Sequence, residues 1–464
     1  MESVNEGSQT VQIEILVSSF GKKFDKLSED PSFSYAASIY EVPQKLRKAN
    51  EGAYTPRLVS IGPLHHGRWQ LQDMEPFKLR FMHNFLTRSK VDLHTIAEFA
   101  AKEESFVRGC YEGTITLSPN RLAEVIMLDG IFIVALLLDV YFIQLRDENE
   151  TIFDTHWVMQ DLMHDMLLLE NQMPIRIMEG LLSFVDLSSL NESEMVMVTI
   201  YDLAQKFFKI IGFTSKVPLA AHHSKARHFV EFLLFLHDPP EGYVSSFDKR
   251  PRRQVESTDF CQNATELVKA GVVLRSSESN WLHEISFSYE DGVLTIPELT
   301  IDALTEPFFK NLIAFEHLGR YGYFSKKFTS YVMLLETLIR TPGDVDILVE
   351  VGIIENRFGS SRQVAALFNN LTRGILTEGV YDFYFYGLFM ELKYYRRSLL
   401  NPGKGSLYRW RIILRVMSYK WNEWKWILGR DYFSNPWSTL SIVAGFLLLV
   451  LTLIQAVCSI LQVA

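Results

Sequence analysis

Apolar side chains recur along this chain with two different periods, and the change from one to the other divides it. Val158, Leu162, Met166 and Leu169 follow at i, i+4, i+8 and i+11, which lines them along one face of a helix. Pro174 marks a boundary or kink soon after. "GIFIVALLL", from Gly130 to Leu138, is a short apolar run closed by Asp129 and Asp139. It is too short to span a bilayer and reads as part of a core helix. Thr265 to Lys269 reads as a short helix that Gly271 can end. The period then falls to two. Ile285, Phe287 and Tyr289 alternate up to Asp291-Gly292, and Val293 resumes beyond it. Asp-Gly between alternating apolar residues predicts a hairpin, or a three-stranded sheet, over 271–301. Helical signals return with Thr305-Glu306-Pro307 and with a capping box, Ser360-x-x-Gln363, ahead of Val364, Leu367, Phe368 and Leu371. The fold class expected is mainly α, a large helical body with that small sheet and one C-terminal transmembrane helix.

The transmembrane expectation rests on the run from Leu440 to Val463, which carries no charge. Its 24 residues would make a helix roughly 36 Å long, against a hydrocarbon core of about 30 Å. Asn435-Pro436 gives a break before it, and Tyr432, Phe433 and Trp437 stand where an interfacial aromatic belt would lie. Five segments follow. Residues 1–34 are an N-terminal extension and 35–236 a helical N-terminal lobe. Residues 237–260, rich in Pro, Ser and charge, are a flexible loop. A C-terminal lobe covers 261–435, and 437–464 is the membrane helix.

Charge sharpens this reading. The whole chain of 464 residues carries a formal −9, yet Lys393 to Arg430 holds ten basic residues opposed only by Glu423. An acidic body thus ends in a basic juxtamembrane collar. An acidic body argues against nucleic acid as a partner. The positive-inside bias puts the body in the cytosol, on the plasma membrane or an endomembrane, and the collar is placed to meet anionic lipid. The N-terminus lacks the pattern of a secretory signal, which makes the topology tail-anchored. The three cysteines, Cys110, Cys261 and Cys458, cannot form a disulfide framework. Asn-x-Ser/Thr occurs at Asn149, Asn191, Asn263 and Asn370, a number near chance.

Candidate chemistry is sparse. His65-His66 precede Gly67, and a second group holds His222, His223 and His228. Structural zinc needs four ligands, and adjacent side chains of an extended pair point apart. Packing is the simpler role for these histidines, with a metal-dependent hydrolase as the alternative. No Gly-x-Ser-x-Gly elbow is present, and no cysteine sits in a catalytic motif. "PGKGS" at 402–406 lacks the spacing of a phosphate loop. Glu75 and Lys78, three apart, read as a surface ion pair. The sequence therefore designates no catalytic, cofactor-binding or metal residue, and no cofactor.

"IYEVPQKLRKANEGAYTPRLVSIGPLHHG", from Ile39 to Gly67, resembles the N-terminal signature of the plant domain-of-unknown-function family 247. "MEPFKLRFMHNFL" from Met74, "MLLLENQMP" from Met166, "ATELVKAGV" from Ala264, "LTIPELTID" from Leu294 and "NLIAFEHL" from Asn311 follow in the family's order. The resemblance implies a plant membrane protein with a helical body and a C-terminal membrane helix. It implies no catalytic residues and no cofactor. Family members are linked to self-incompatibility, development or stress. The function expected is thus a membrane-anchored interaction, recognition or signalling component with an unknown protein partner, and no enzyme.

Overall fold

The computed structural model describes residues 17–20, 37–146, 152–187, 198–209, 219, 223–237, 262–279, 281–319, 326–375 and 383–400, with 448, 451, 452 and 455 beyond them. After a short helix α1 (Gln44–Arg47), four elements build the first half: α2 (Glu75–Ser89), α3 (Leu93–Cys110), α4 (Pro119–Tyr141) and α5 (His156–Met166). They are followed by α6 (Ile175–Leu182), α7 (Ile200–Phe208) and α8 (Phe229–His237). The centre is α4, which packs against α2, α3, α6 and α7. Ser118 caps it, Pro119 opens its first turn, and every residue from Asp129 to Val140 is buried. A helix apolar all round belongs inside a protein. The two carboxylates of its buried stretch are matched: Asp139 accepts from Arg88 at 2.8 Å and Asp129 from Lys78 at 2.6 Å. Gly130 lets α6 come close, since a Cβ there would stand 2.7 Å from Leu181 Cδ1.

The second half opens with α9 (Ala264–Lys269), capped by Asn263, and a sheet of β1 (Val273–Ser277), β2 (Ser286–Ser288) and β3 (Val293–Pro297). The order is β1-β3-β2. β2 and β3 form the antiparallel hairpin expected around Asp291-Gly292, with Phe287 opposite Leu294. β1 pairs with β3 in parallel. A second pair joins β4 (Leu299–Ile301) in parallel to a strand near residue 355. Between them lie α10 (Thr305–Leu318), α11 (Lys327–Leu338) and α12 (Pro342–Glu350). The partner strand is β5 (Ile354–Asn356), and α13 (Ser361–Phe368) and α14 (Tyr386–Leu400) complete the body. The capping box is formed: the Ser360 side chain accepts from Gln363 N, and Gln363 reaches back to Ser360 N. α11 begins on a borrowed cap, because Glu316 of α10 accepts from Phe328 N and Thr329 N at 3.0 and 2.7 Å.

One hydrophobic cluster runs from Ile39 to Tyr395 and takes in both halves. Two sequence expectations change in detail. The helix carrying Val158, Leu162 and Met166 ends at Met166, so Leu169 lies beyond it, buried in the following turn. His237, assigned to the flexible loop, is the fully buried last residue of α8; the rest of that loop lies outside the described residues. So does the run 440–463 apart from Leu448, Leu451, Thr452 and Gln455, and so does the collar beyond Leu400. Among the described residues no helix is long and apolar enough to cross a membrane.

Candidate functional site

The stretch from Arg57 to Gly62 runs from an exposed end at Arg57 into the core, where Val59, Ser60, Ile61 and Gly62 are buried, and it joins neither sheet. Buried backbone N–H groups need acceptors, and here side chains supply them. Arg57 N, Leu58 N and Val59 N all donate to the Asp165 carboxylate, at 2.8, 2.7 and 2.8 Å. Ile61 N donates to Asn171 Oδ1 at 2.7 Å, and Gly62 N to Asp129 Oδ2 at 2.9 Å. In return, Asn171 Nδ2 reaches Val59 O at 3.0 Å and Lys78 Nζ reaches Ser60 O at 2.7 Å. Gly62 is required where it is. Its φ is +72°, and a Cβ would stand 2.8 Å from Gln172 O.

Lys78 corrects the sequence reading of a surface pair. Its side chain is fully buried and holds Asp129 at 2.6 Å as well as Glu75 at 2.7 Å. Burial pulls its pKa down, but the Asp129 and Glu75 carboxylates outweigh that and raise it, so the ammonium stays charged.

Beside this network opens a polar cleft of about 370 Å³. Its floor is Glu170, which accepts from Val42 N at 2.6 Å and from Arg47, while His65 Nε2 lies 3.2 Å from Oε2. Burial pushes the Glu170 carboxyl upward, but contacts with His65, Arg47 and Val42 prevail and hold it below its usual value. A carboxylate so satisfied is a fixed anion and a poor general base. Glu41, Lys48, Glu51 and Arg68 stand on the walls, with Gln44, Thr55, Val42 and Leu64 between them.

The histidines separate. His65 is buried on Glu170 and His66 is exposed. His228 donates from Nε2 to Ser38 O at 2.9 Å and accepts from Glu231 N at 3.3 Å, which fixes a neutral ring. His223 is buried edge-on to Phe232, with centroids 6.4 Å apart, and His222 lies outside the described residues. Among the described residues no three His, Cys, Asp or Glu side chains are grouped to hold a metal ion. Burial pushes the Cys110 thiol up to about 11, so it carries little thiolate at neutral pH. Cys261 and Cys458 lie outside the described residues.

Sequence reasoning gives Arg47 and Glu170 no role, and Asp129 only that of closing an apolar run. The available signal was Glu170-Asn171-Gln172, three polar residues in a row behind an apolar Leu-Leu-Leu. Such a run inside a core must be hydrogen-bonded, and all three are. Sequence segments quoted as motifs thus meet in space: 39–67, the start of α2, and 166–174. "NLIAFEHL" joins them through Asn311, which accepts from Leu169 N at 2.9 Å and donates to Ala53 O at 2.7 Å.

Residues 39–451 match the family DUF247, described as "Plant protein of unknown function". UPF0481 protein At3g47200 of Arabidopsis thaliana is 26% identical over 473 residues, covering 96% of this chain and 90% of that protein. A second UPF0481 protein of the same plant, At3g02645, is 21% identical over 518 residues, covering 93% of this chain and 91% of its own length. No solved structure matches.

Proposed function

This chain belongs to the DUF247 family of plant proteins, and on that footing we propose that it is a membrane-anchored recognition protein whose body receives a partner at the cleft above Glu170. The observation carrying this reading is that three separated stretches, at Lys78, Glu170-Asn171 and Asn311, converge by hydrogen bonds on the 39–67 segment, which with Arg68 and Glu170 lines an open cleft. Such preorganisation keeps the cost of ordering on binding low. The uncharged run 440–463 and the basic collar before it support the anchor, with the body in the cytosol and the collar against anionic lipid.

The test uses the full chain, tagged at both ends and expressed in plant cells. It is expected to sediment with membranes, to leave its body open to protease on intact microsomes, and to become soluble when cut after Arg430. Crosslinking on those membranes is expected to capture a defined partner that Gln44→Trp, which fills the cleft from the exposed side of α1, no longer captures. Full sedimentation after truncation would overturn the anchor. Capture unchanged by Gln44→Trp would overturn the cleft.

A further inference from the structure

The cleft's charges divide into two sets. Arg47 and Glu170 form the floor and satisfy each other. Arg47 keeps one end underused, since Nη1 has only two long contacts, 3.5 Å to Tyr54 O and 3.5 Å to Thr55 Oγ1. The walls carry two cations, Lys48 and Arg68, and two carboxylates, Glu41 and Glu51. None of these four is paired by its side chain within the described residues, although the chain makes exposed pairs elsewhere, as between Arg121 and Glu124. The volume, about 370 Å³, lies near the lower end of the roughly 300–1,000 Å³ of small-ligand sites. It admits a short stretch of chain but no folded domain.

A purely anionic occupant would set its charge beside Glu41, Glu51 and the fixed Glu170 carboxylate. A purely cationic one would meet Lys48, Arg68 and Arg47. Like-charge juxtaposition across an interface is what rejects wrong partners. We propose that the cleft takes a short peptide segment bearing both signs, its carboxylates toward Arg47, Lys48 and Arg68 and its ammonium groups toward Glu41 and Glu51. This deepens the recognition reading and rests on it.

Fluorescence polarisation on the purified full chain in nanodiscs tests it. The probes are labelled peptides of equal length: alternating Lys and Glu, all Glu, all Lys, and uncharged Ser-Gly. The mixed peptide is expected to bind at least tenfold tighter than any other and to weaken with added salt. Arg68→Gln and Glu41→Gln, both exposed and outside the buried network, are each expected to weaken it fivefold or more at unchanged melting temperature. Equal binding of a single-sign peptide, no binding of the mixed peptide, or indifference to both substitutions would overturn the charge assignment. If Gln44→Trp still abolishes partner capture in that case, the recognition reading survives and only the ligand class falls.

Discussion

At the scale of single residues, the body is held by ionised side chains placed where the backbone lacks partners. Lys78 shows what removing one does. Lys78→Met leaves Asp129 buried without its cation, and the expected cost is about 3–5 kcal/mol, read as a lower urea midpoint at unchanged slope. The sequence disclosed only half of this device. Glu75 and Lys78 are three residues apart and visible as a pair, whereas Asp129 lies 51 residues from Lys78 and no local rule connects them. The buried histidines give the pH dependence. Burial holds His228 down at about 4, helped by Arg227 and opposed by Glu231. Burial, with His283 and His223 nearby, holds His237 at about 3. Their unfolded value is 6.5, so the unfolded chain takes up protons first. Stability is full above pH 6.5 and falls as pH drops toward the folded values, by about 2 kcal/mol for each ring at pH 5. Denaturant midpoints measured from pH 7 to pH 4.5 should decline across that range, and His228→Gln should flatten the decline.

At the scale of elements, ends and turns were the readable part. Ser360 and Gln363 form the box their spacing foretold, and Ser360→Ala is expected to cost about 1 kcal/mol in thermal unfolding. The hairpin at Asp291-Gly292 was equally legible, because an alternating pattern and a turn dipeptide are local facts. The parallel partnership of β1 with β3, and of β4 with β5, was not. In the second, α10, α11 and α12 separate the strands, and their pairing is set by where those helices pack. The 57–62 stretch has no sheet pattern to detect, since its hydrogen-bond partners are side chains. Gly62→Ala there should be far costlier than an ordinary Gly→Ala change, because it combines φ of +72° with a clash against Gln172 O. Circular dichroism melts of the two variants, Ser360→Ala mild and Gly62→Ala severe, check both.

At the scale of the whole molecule, the cluster of apolar side chains does not stop at the 237–260 stretch. Asn311 of α10 ties Leu169 and Ala53 to the second half. Residues 35–236 expressed alone are therefore expected to give an aggregating or molten product, while the intact body unfolds in a single calorimetric transition. Two transitions would show that the halves are independent.

The long reach of those Asn311 bonds also sets a timetable. Ala53 and Asn311 stand 258 positions apart, and ribosomes add about 5–20 residues per second, so the turn beneath the cleft waits roughly ten to fifty seconds for its anchor. Through that interval the nascent first half exposes apolar surface destined for α10. It is then a client for chaperones, and a message truncated before codon 311 would yield a chain that never leaves that state.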